Sequence, residues 1–217
     1  MTDADYDEMR RSMVASQLRT TGVNDPRVLA AMGAVAREAF VPAARRAAAY
    51  ADVVLPLGEG RALSSPMALG LLITEARLIG NERALVIGTA TGYSAAVVAR
   101  LVGSVIALEE APTFAAAARA ALAPLGVELI EGPLEAGHPA GGPYDFILVD
   151  GAIEKLPQAI VDQLADGGRI AFALLDRGVT RLAIGRRVGG GFGVTTFADA
   201  AAAPLPGFAR AQAFSFS

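Results

Sequence analysis

The stretch Val86-Ile87-Gly88-Thr89-Ala90-Thr91-Gly92-Tyr93 places small residues where an apolar run hands over to a helical one. Small residues at such a turn let a ligand approach the backbone, and the start of the following helix offers free N–H groups. Glu109 follows Gly88 by 21 residues, at the end of the next apolar run. In a doubly wound sheet that spacing brings its carboxylate to the same edge as the glycine turn, where it can accept both hydroxyls of a ribose. Each feature has a plainer reading: a tight strand–helix turn for the string, a helix-capping acid for Glu109. The string is Gly-x-Ala-x-Gly and lacks the Gly-x-Gly-x-x-Gly of dinucleotide sites, so the pair points to a nucleoside ligand and away from NAD.

Other side chains offer less. Asp150, after a buried run at the same edge, could cap the next helix, touch a ligand or join a metal site. Capping is preferred, and a metal site is the least favoured, because no second acidic or histidine cluster is evident. His138 lies in a Gly/Pro-rich loop and reads as a surface residue, and Arg177, Arg181, Arg186 and Arg187 read as a solvated face. Pro204-Leu205-Pro206-Gly207-Phe208 reads as a docked loop without chemistry. With no cysteine among 217 residues, disulfides and thiol nucleophiles are excluded. A net charge of −3 argues against bulk attraction to nucleic acid. The hydrophobic fraction of 53% is inflated by alanine. The most apolar stretch, residues 95–108, is broken by Arg100, so no membrane span is expected. The first residues are acidic, unlike a secretory signal, and a cytoplasmic location is expected.

The elements that must position these residues follow from periodicity. Residues 5–20 carry a helical stripe including Met9, Met13 and Leu18. Asp25-Pro26 starts a second helix as N-cap and first-turn proline, with Val28, Leu29, Met32 and Val35 inward, ending at 38–42. Residues 50–66 read as loop and 66–76 as a third helix. Short apolar runs at 84–87, 104–108, 127–130, 144–149 and 169–174 read as buried parallel strands. Helices are expected between them at 92–101, 111–123 and 156–164. Strand candidates follow at 182–188, 192–197 and 211–216, with Gly189-Gly190-Gly191 as a hairpin turn. The pattern predicts an α/β fold with a doubly wound, mostly parallel sheet and N-terminal helices. It also predicts one domain over 1–217: a helical and loop segment (1–80), a ligand-binding core (81–175) and C-terminal strands (176–217).

The chain resembles the protein-L-isoaspartate (D-aspartate) O-methyltransferases from about Met13 to Ala171. The strings Gln17-Leu18-x-x-x-Gly22-Val23, Val28-Leu29-x-Ala31-Met32, Arg37-Glu38-x-Phe40-Val41-Pro42 and Ala49-Tyr50-x-Asp52-x-x-Leu55-Pro56-Leu57-Gly58 follow that family's opening in order. Gly60-Arg61-Ala62-Leu63-Ser64-Ser65-Pro66 matches its active-site loop, usually Gly-Gln-Thr-Ile-Ser-x-Pro. The resemblance implies a Rossmann-like class I methyltransferase fold and S-adenosylmethionine as cofactor. It places Gly88, Thr89, Ala90 and Gly92 on the cofactor loop, Glu109 on the ribose and the catalytic hydroxyl on Ser64. Ser65, directly before Pro66, is the better-placed helix cap. The implied partner is a damaged protein or peptide, methylated on its L-isoaspartyl carboxylate, with no nucleic acid, membrane or metal. The alternatives are a methyltransferase of the same fold acting on tRNA or a small molecule, and a non-catalytic member that has lost its cofactor.

The chain departs from the family pattern at Val86 (usually an acid), Ala62 (Thr), Ala90 (Gly) and Asp150-Gly151 (Thr-Ala). Its adenine segment, usually Gly-Asp-Gly-x-x-Gly, reads Gly132-Pro133-Leu134-Glu135-Ala136-Gly137. With Pro133 in place of the aspartate, adenine recognition is expected to be apolar, with Leu134 as the contact.

Overall fold

A computed structural model describes residues 2–210; the strand expected at 211–216 lies outside them. Helix α1 (Asp3–Ser12) is closed at its start by a reciprocal cap between Thr2 and Asp5. It runs on through a π-helical stretch, Met13–Leu18, to a 3-10 turn ending at Gly22. Helix α2 (Pro26–Ala34) starts as the sequence predicts, with the Asp25 side chain accepting from the Arg27 N–H at 2.8 Å. It stops at Ala34, and a separate 3-10 turn, Arg37–Phe40, carries the chain onward.

The expected loop at 50–66 contains a small antiparallel ribbon, β1 (Leu55–Gly58) with β2 (Arg61–Leu63). Four- and three-residue strands are too short to show alternation, and Pro56 and Gly58 read as loop residues. Helix α3 (Pro66–Ala76) then follows within its predicted bounds.

From Arg83 the chain alternates: β3 (Arg83–Ile87), α4 (Tyr93–Val98), β4 (Ser104–Glu109), α5 (Pro112–Leu122), β5 (Glu128–Glu131), β6 (Tyr144–Ile153), α6 (Gln158–Val161) and β7 (Leu164–Asp176). The antiparallel strands β8 (Val179–Val188) and β9 (Gly191–Asp199) complete a seven-stranded sheet of order β5-β4-β3-β6-β7-β8-β9. Helix α6 is shorter than expected because Pro157 precedes its first turn and Leu164 is drawn into pairing with Tyr144. The Asp166-Gly167-Gly168 turn is absorbed as an irregularity within β7.

Both faces of the parallel strands are covered, so β3 buries every residue after Arg83. Ala84 and Val86 point to a core shared with α2, α3 and α4, while Leu85 and Ile87 point to a second core with Ile147, Val149, Leu205 and Phe208. The sheet reverses its winding at β3, which has β4 on one side and β6 on the other. In open α/β sheets the crevice at the carboxyl ends of such strands is where ligands bind. Here that edge carries Gly88 after β3, Glu109 at the end of β4 and Asp150 in β6.

Candidate active site

The turn after β3 is built for close approach. Gly88 and Gly92 have φ of +76° and +103°, and the Gly88 N–H donates to the Leu108 carbonyl at 2.9 Å. Ala90 also lies in the left-handed region, at φ +47°, where an L side chain is disfavoured. The Thr91 hydroxyl donates to the Phe40 carbonyl at 2.7 Å and ties the turn to the N-terminal segment. Thr89 is fully buried and its hydroxyl oxygen has no partner.

Glu109 is completely buried at this turn. Its Oε2 accepts from the Ala90 N–H at 2.7 Å, and its Oε1 accepts from the N–H groups of Glu110 and Ala111 at 3.0 and 3.1 Å. The carboxylate satisfies backbone donors ahead of α5 without capping the helix, whose N-cap Ala111 has no side-chain cap, and it bridges to the glycine turn. A further partner was not legible in the sequence. Arg61, 5% exposed, donates from Nη1 to Glu109 Oε1 at 2.6 Å and from Nη2 to the Gly88 carbonyl at 2.7 Å. The only signal for it was a lone arginine among small and apolar residues of the loop. A buried charge requires a partner, and Glu109 is the acid within reach.

Asp150 is not a helix cap. Between Leu148 and Ala152 the register of β6 against β7 slips, so Val149, Asp150 and Gly151 bulge out of the ladder. Bulges re-aim side chains, and here the Asp150 carboxylate accepts from the Ser64 hydroxyl at 2.7 Å, 86 positions away in sequence. Burial raises the Asp150 pKa above the usual carboxylate range, against the opposing effect of the Ser94 and Ser64 hydroxyls and of Arg61 and Arg37. Ser65 takes the capping role, accepting from the Ala68 N–H at 3.3 Å, which leaves the neighbouring hydroxyl free for Asp150.

The Ser64 loop is held by Arg37, whose role sequence reasoning also missed. Its guanidinium donates to the Ser64 carbonyl and the Ala49 carbonyl, both at 2.7 Å, and stacks 4.6 Å from the centre of the Tyr93 ring. Leu134 is buried in the same apolar cluster as Leu205 and Phe208, while Pro133 is exposed. His138 is half-buried and takes part through its backbone: its N–H donates to Gln163 and its carbonyl accepts from Tyr144. Arg177, Arg181 and Arg186 are exposed as expected, whereas Arg187 is partly covered and donates to carbonyls of Val161, Asp162 and Leu164.

Comparison with known proteins places the chain in a family. A match to the protein-L-isoaspartate(D-aspartate) O-methyltransferase family runs over residues 9–190. The chain belongs to that family. It is 44% identical over 177 residues to protein-L-isoaspartate O-methyltransferase 1 of Rhodopseudomonas palustris, covering 80% of this chain and 72% of that protein. It is 45% identical over 172 residues to the protein-L-isoaspartate O-methyltransferase of Methylorubrum populi, covering 78% and 79%. Among solved structures, a protein-L-isoaspartate O-methyltransferase shares the fold with a TM-score of 0.81 at 24% identity, over 91% of this chain and 66% of that one. A putative member from Plasmodium falciparum, in complex with S-adenosyl-L-homocysteine, does so with a TM-score of 0.78 at 18% identity, over 92% and 97%. The expected class I methyltransferase fold is thus borne out. No helix among the described residues is long and apolar enough to cross a membrane.

Proposed function

We propose that the protein methylates the carboxylate of L-isoaspartyl residues in damaged proteins, with S-adenosylmethionine as methyl donor. The observation that carries this reading is the family match across residues 9–190. The resemblance of Gly60–Pro66 to the family's active-site loop supports Ser64 as the site hydroxyl, beside the edge that holds Gly88 and Glu109.

The residue types at this edge fit the donor: a glycine turn for close approach, a carboxylate for ribose hydroxyls, and Leu134 as an apolar wall for the base. In this conformation other groups of the chain engage them, since Arg61 holds Glu109 and Leu205 packs over Gly88. S-Adenosylmethionine supplies an electrophilic methyl group. The substrate carboxylate is already ionised at neutral pH, so the protein needs no general base and must chiefly orient it and exclude water. Ser64 is assigned the orienting role. Arg37 fixes the Ser64 backbone, and the hydroxyl turns from Asp150 to the incoming carboxylate. On this reading the chain works as one unit in the cytoplasm, with 1–80 supplying the Ser64 loop, 81–175 the cofactor edge and 176–217 the C-terminal strands.

Transfer of labelled methyl groups to an isoaspartyl peptide, against the same peptide with ordinary aspartate, tests the assignment. Labelling confined to the isoaspartyl peptide is the expected result. Equal labelling of both, or of neither by protein that binds the cofactor, sends the search to another substrate.

A further inference from the structure

After β9 the chain does not leave the molecule. Residues 200–203 carry it back across the sheet edge, where it pairs with β6. The Ala152 N–H donates to the Ala203 carbonyl at 2.7 Å, and the Leu205 N–H donates to the Ala152 carbonyl at 2.8 Å. Leu205 and Phe208 are then buried, 6% and 2% exposed, in the core that contains Ile87, Leu108, Val149 and Leu134. The expected docked loop is therefore a strap with a definite seat.

That seat is the crevice itself. A Cβ placed on Gly88 would lie 2.8 Å from Leu205 Cδ1 and 3.2 Å from Arg61 Nη2, and one placed on Gly151 would lie 3.1 Å from Leu205 Cβ. Leu205 thus fills the space between the ends of β3 and β6, where the winding reverses. The strap turns at Gly207, φ +84°, close against Glu135 of the segment expected to face the adenine. Arg210 holds its far end, donating from its N–H to Glu154 Oε2 and from Nε to the Glu154 carbonyl, both at 2.9 Å.

We propose that residues 203–208, with Arg61 on Glu109, are an internal competitor for the cofactor cleft: the protein rests closed on itself, and the cofactor binds only when the strap lifts and Arg61 releases the carboxylate. The inference rests on the cofactor assignment above. Leu205 packs against Gly88 and Arg61 holds Glu109, the two groups assigned to the nucleoside, so the two occupants exclude each other. The apparent affinity is then the intrinsic affinity reduced by the fraction of molecules that are open. Anything that loosens the strap tightens binding without touching the cofactor.

The test uses the full chain and S-adenosylhomocysteine as probe. In hydrogen exchange, a ligand that simply fills a site slows amide exchange around it. Here saturating probe should speed exchange at the Leu205 amide, which loses its bond to Ala152. By calorimetry Leu205→Ala, which keeps the strap's backbone bonds but removes the plug, should bind roughly tenfold tighter or more than wild type. Arg210→Ala, at an exposed position outside the cleft, should shift affinity in the same direction by a few-fold. Slower or unchanged exchange at Leu205, with wild type and both variants binding equally, overturns the strap as competitor and leaves the cofactor assignment standing. Folded wild type and variants that all fail to bind the probe overturn the cofactor assignment, and the competitor with it.

Discussion

Arg61 and Glu109, 48 positions apart, form a 2.6 Å ion pair with both side chains out of solvent. Removing one member of such a pair strands the other charge. The carboxylate of Glu109 keeps three backbone donors, which limits the loss. Arg61→Ala is therefore expected to cost about 3 kcal/mol, the lower end for a broken buried pair. Glu109→Gln leaves Arg61 facing a neutral amide and is expected to cost a similar amount. The double variant should be less destabilised than the sum, by at least about 1 kcal/mol of coupling. Urea unfolding of the four proteins measures this directly, and additive losses would show that the pair contributes nothing as a pair.

Asp150 sets a pH dependence of definite sign. Its pKa is raised in the folded protein, chiefly by burial, so the folded state holds this proton more tightly than the unfolded chain does. Its burial therefore costs nothing below the unfolded carboxylate pKa. The cost appears as pH rises from there through the folded pKa, and is complete above it. Asp150→Asn keeps an acceptor for Ser64 and removes the titration. The variant should be the more stable protein at pH 7, and its advantage should vanish as the pH falls toward about 4. Denaturation midpoints of the two proteins from pH 4 to 8 give the comparison; a constant gap would assign the difference to packing instead of charge.

Much of this site was legible in the chain, and what was not has a physical cause. Buried parallel strands write themselves as short apolar runs between glycine-bearing turns, so β3, β4 and β6 were found, with Gly88 and Glu109 at the ends of the first two, while β6 runs on past Asp150 to Ile153. The β1–β2 ribbon was missed because its strands are too short to show a period. Asp150 was assigned to capping because a bulge that slips the register of β6 leaves no trace in composition. The contact of Leu205 with Gly88 joins residues brought together only by tertiary packing. Local pattern carries no information about which apolar side chain will return to a given turn, and Pro204–Phe208 could be read as docked without revealing where.

Ala90 occupies the family's central glycine position at φ +47°. The left-handed region costs a residue with a Cβ roughly 1–2 kcal/mol relative to the right-handed one, whereas glycine loses more chain entropy on folding, about 0.4–1 kcal/mol. Relief of strain exceeds the entropy term, so Ala90→Gly should stabilise the protein by about 0.5–1 kcal/mol. Thermal unfolding checks this, and a lower melting temperature would mean that the alanine methyl makes packing contacts worth more than the strain.

Ser64 and Ser65 stand side by side and do different things, and single substitutions should separate them. Ser65 accepts from the Ala68 N–H at the start of α3, so Ser65→Ala should lose about 1 kcal/mol of stability and keep its activity per folded molecule. Ser64 instead donates to Asp150 at 2.7 Å, from a backbone pinned by Arg37. If its hydroxyl orients the isoaspartyl carboxylate, Ser64→Ala should lower kcat with the KM for cofactor little changed, a loss beyond whatever stability the variant gives up at neutral pH through Asp150. Its effect on the pH profile is also diagnostic. Without the hydroxyl, Asp150 loses one group that favours its charged form, so its pKa should rise further and the stability loss it causes should extend to higher pH. Unchanged turnover in Ser64→Ala would leave Ser64 only the task of holding Asp150, and the hydroxyl that serves the substrate would have to be sought elsewhere along the same edge.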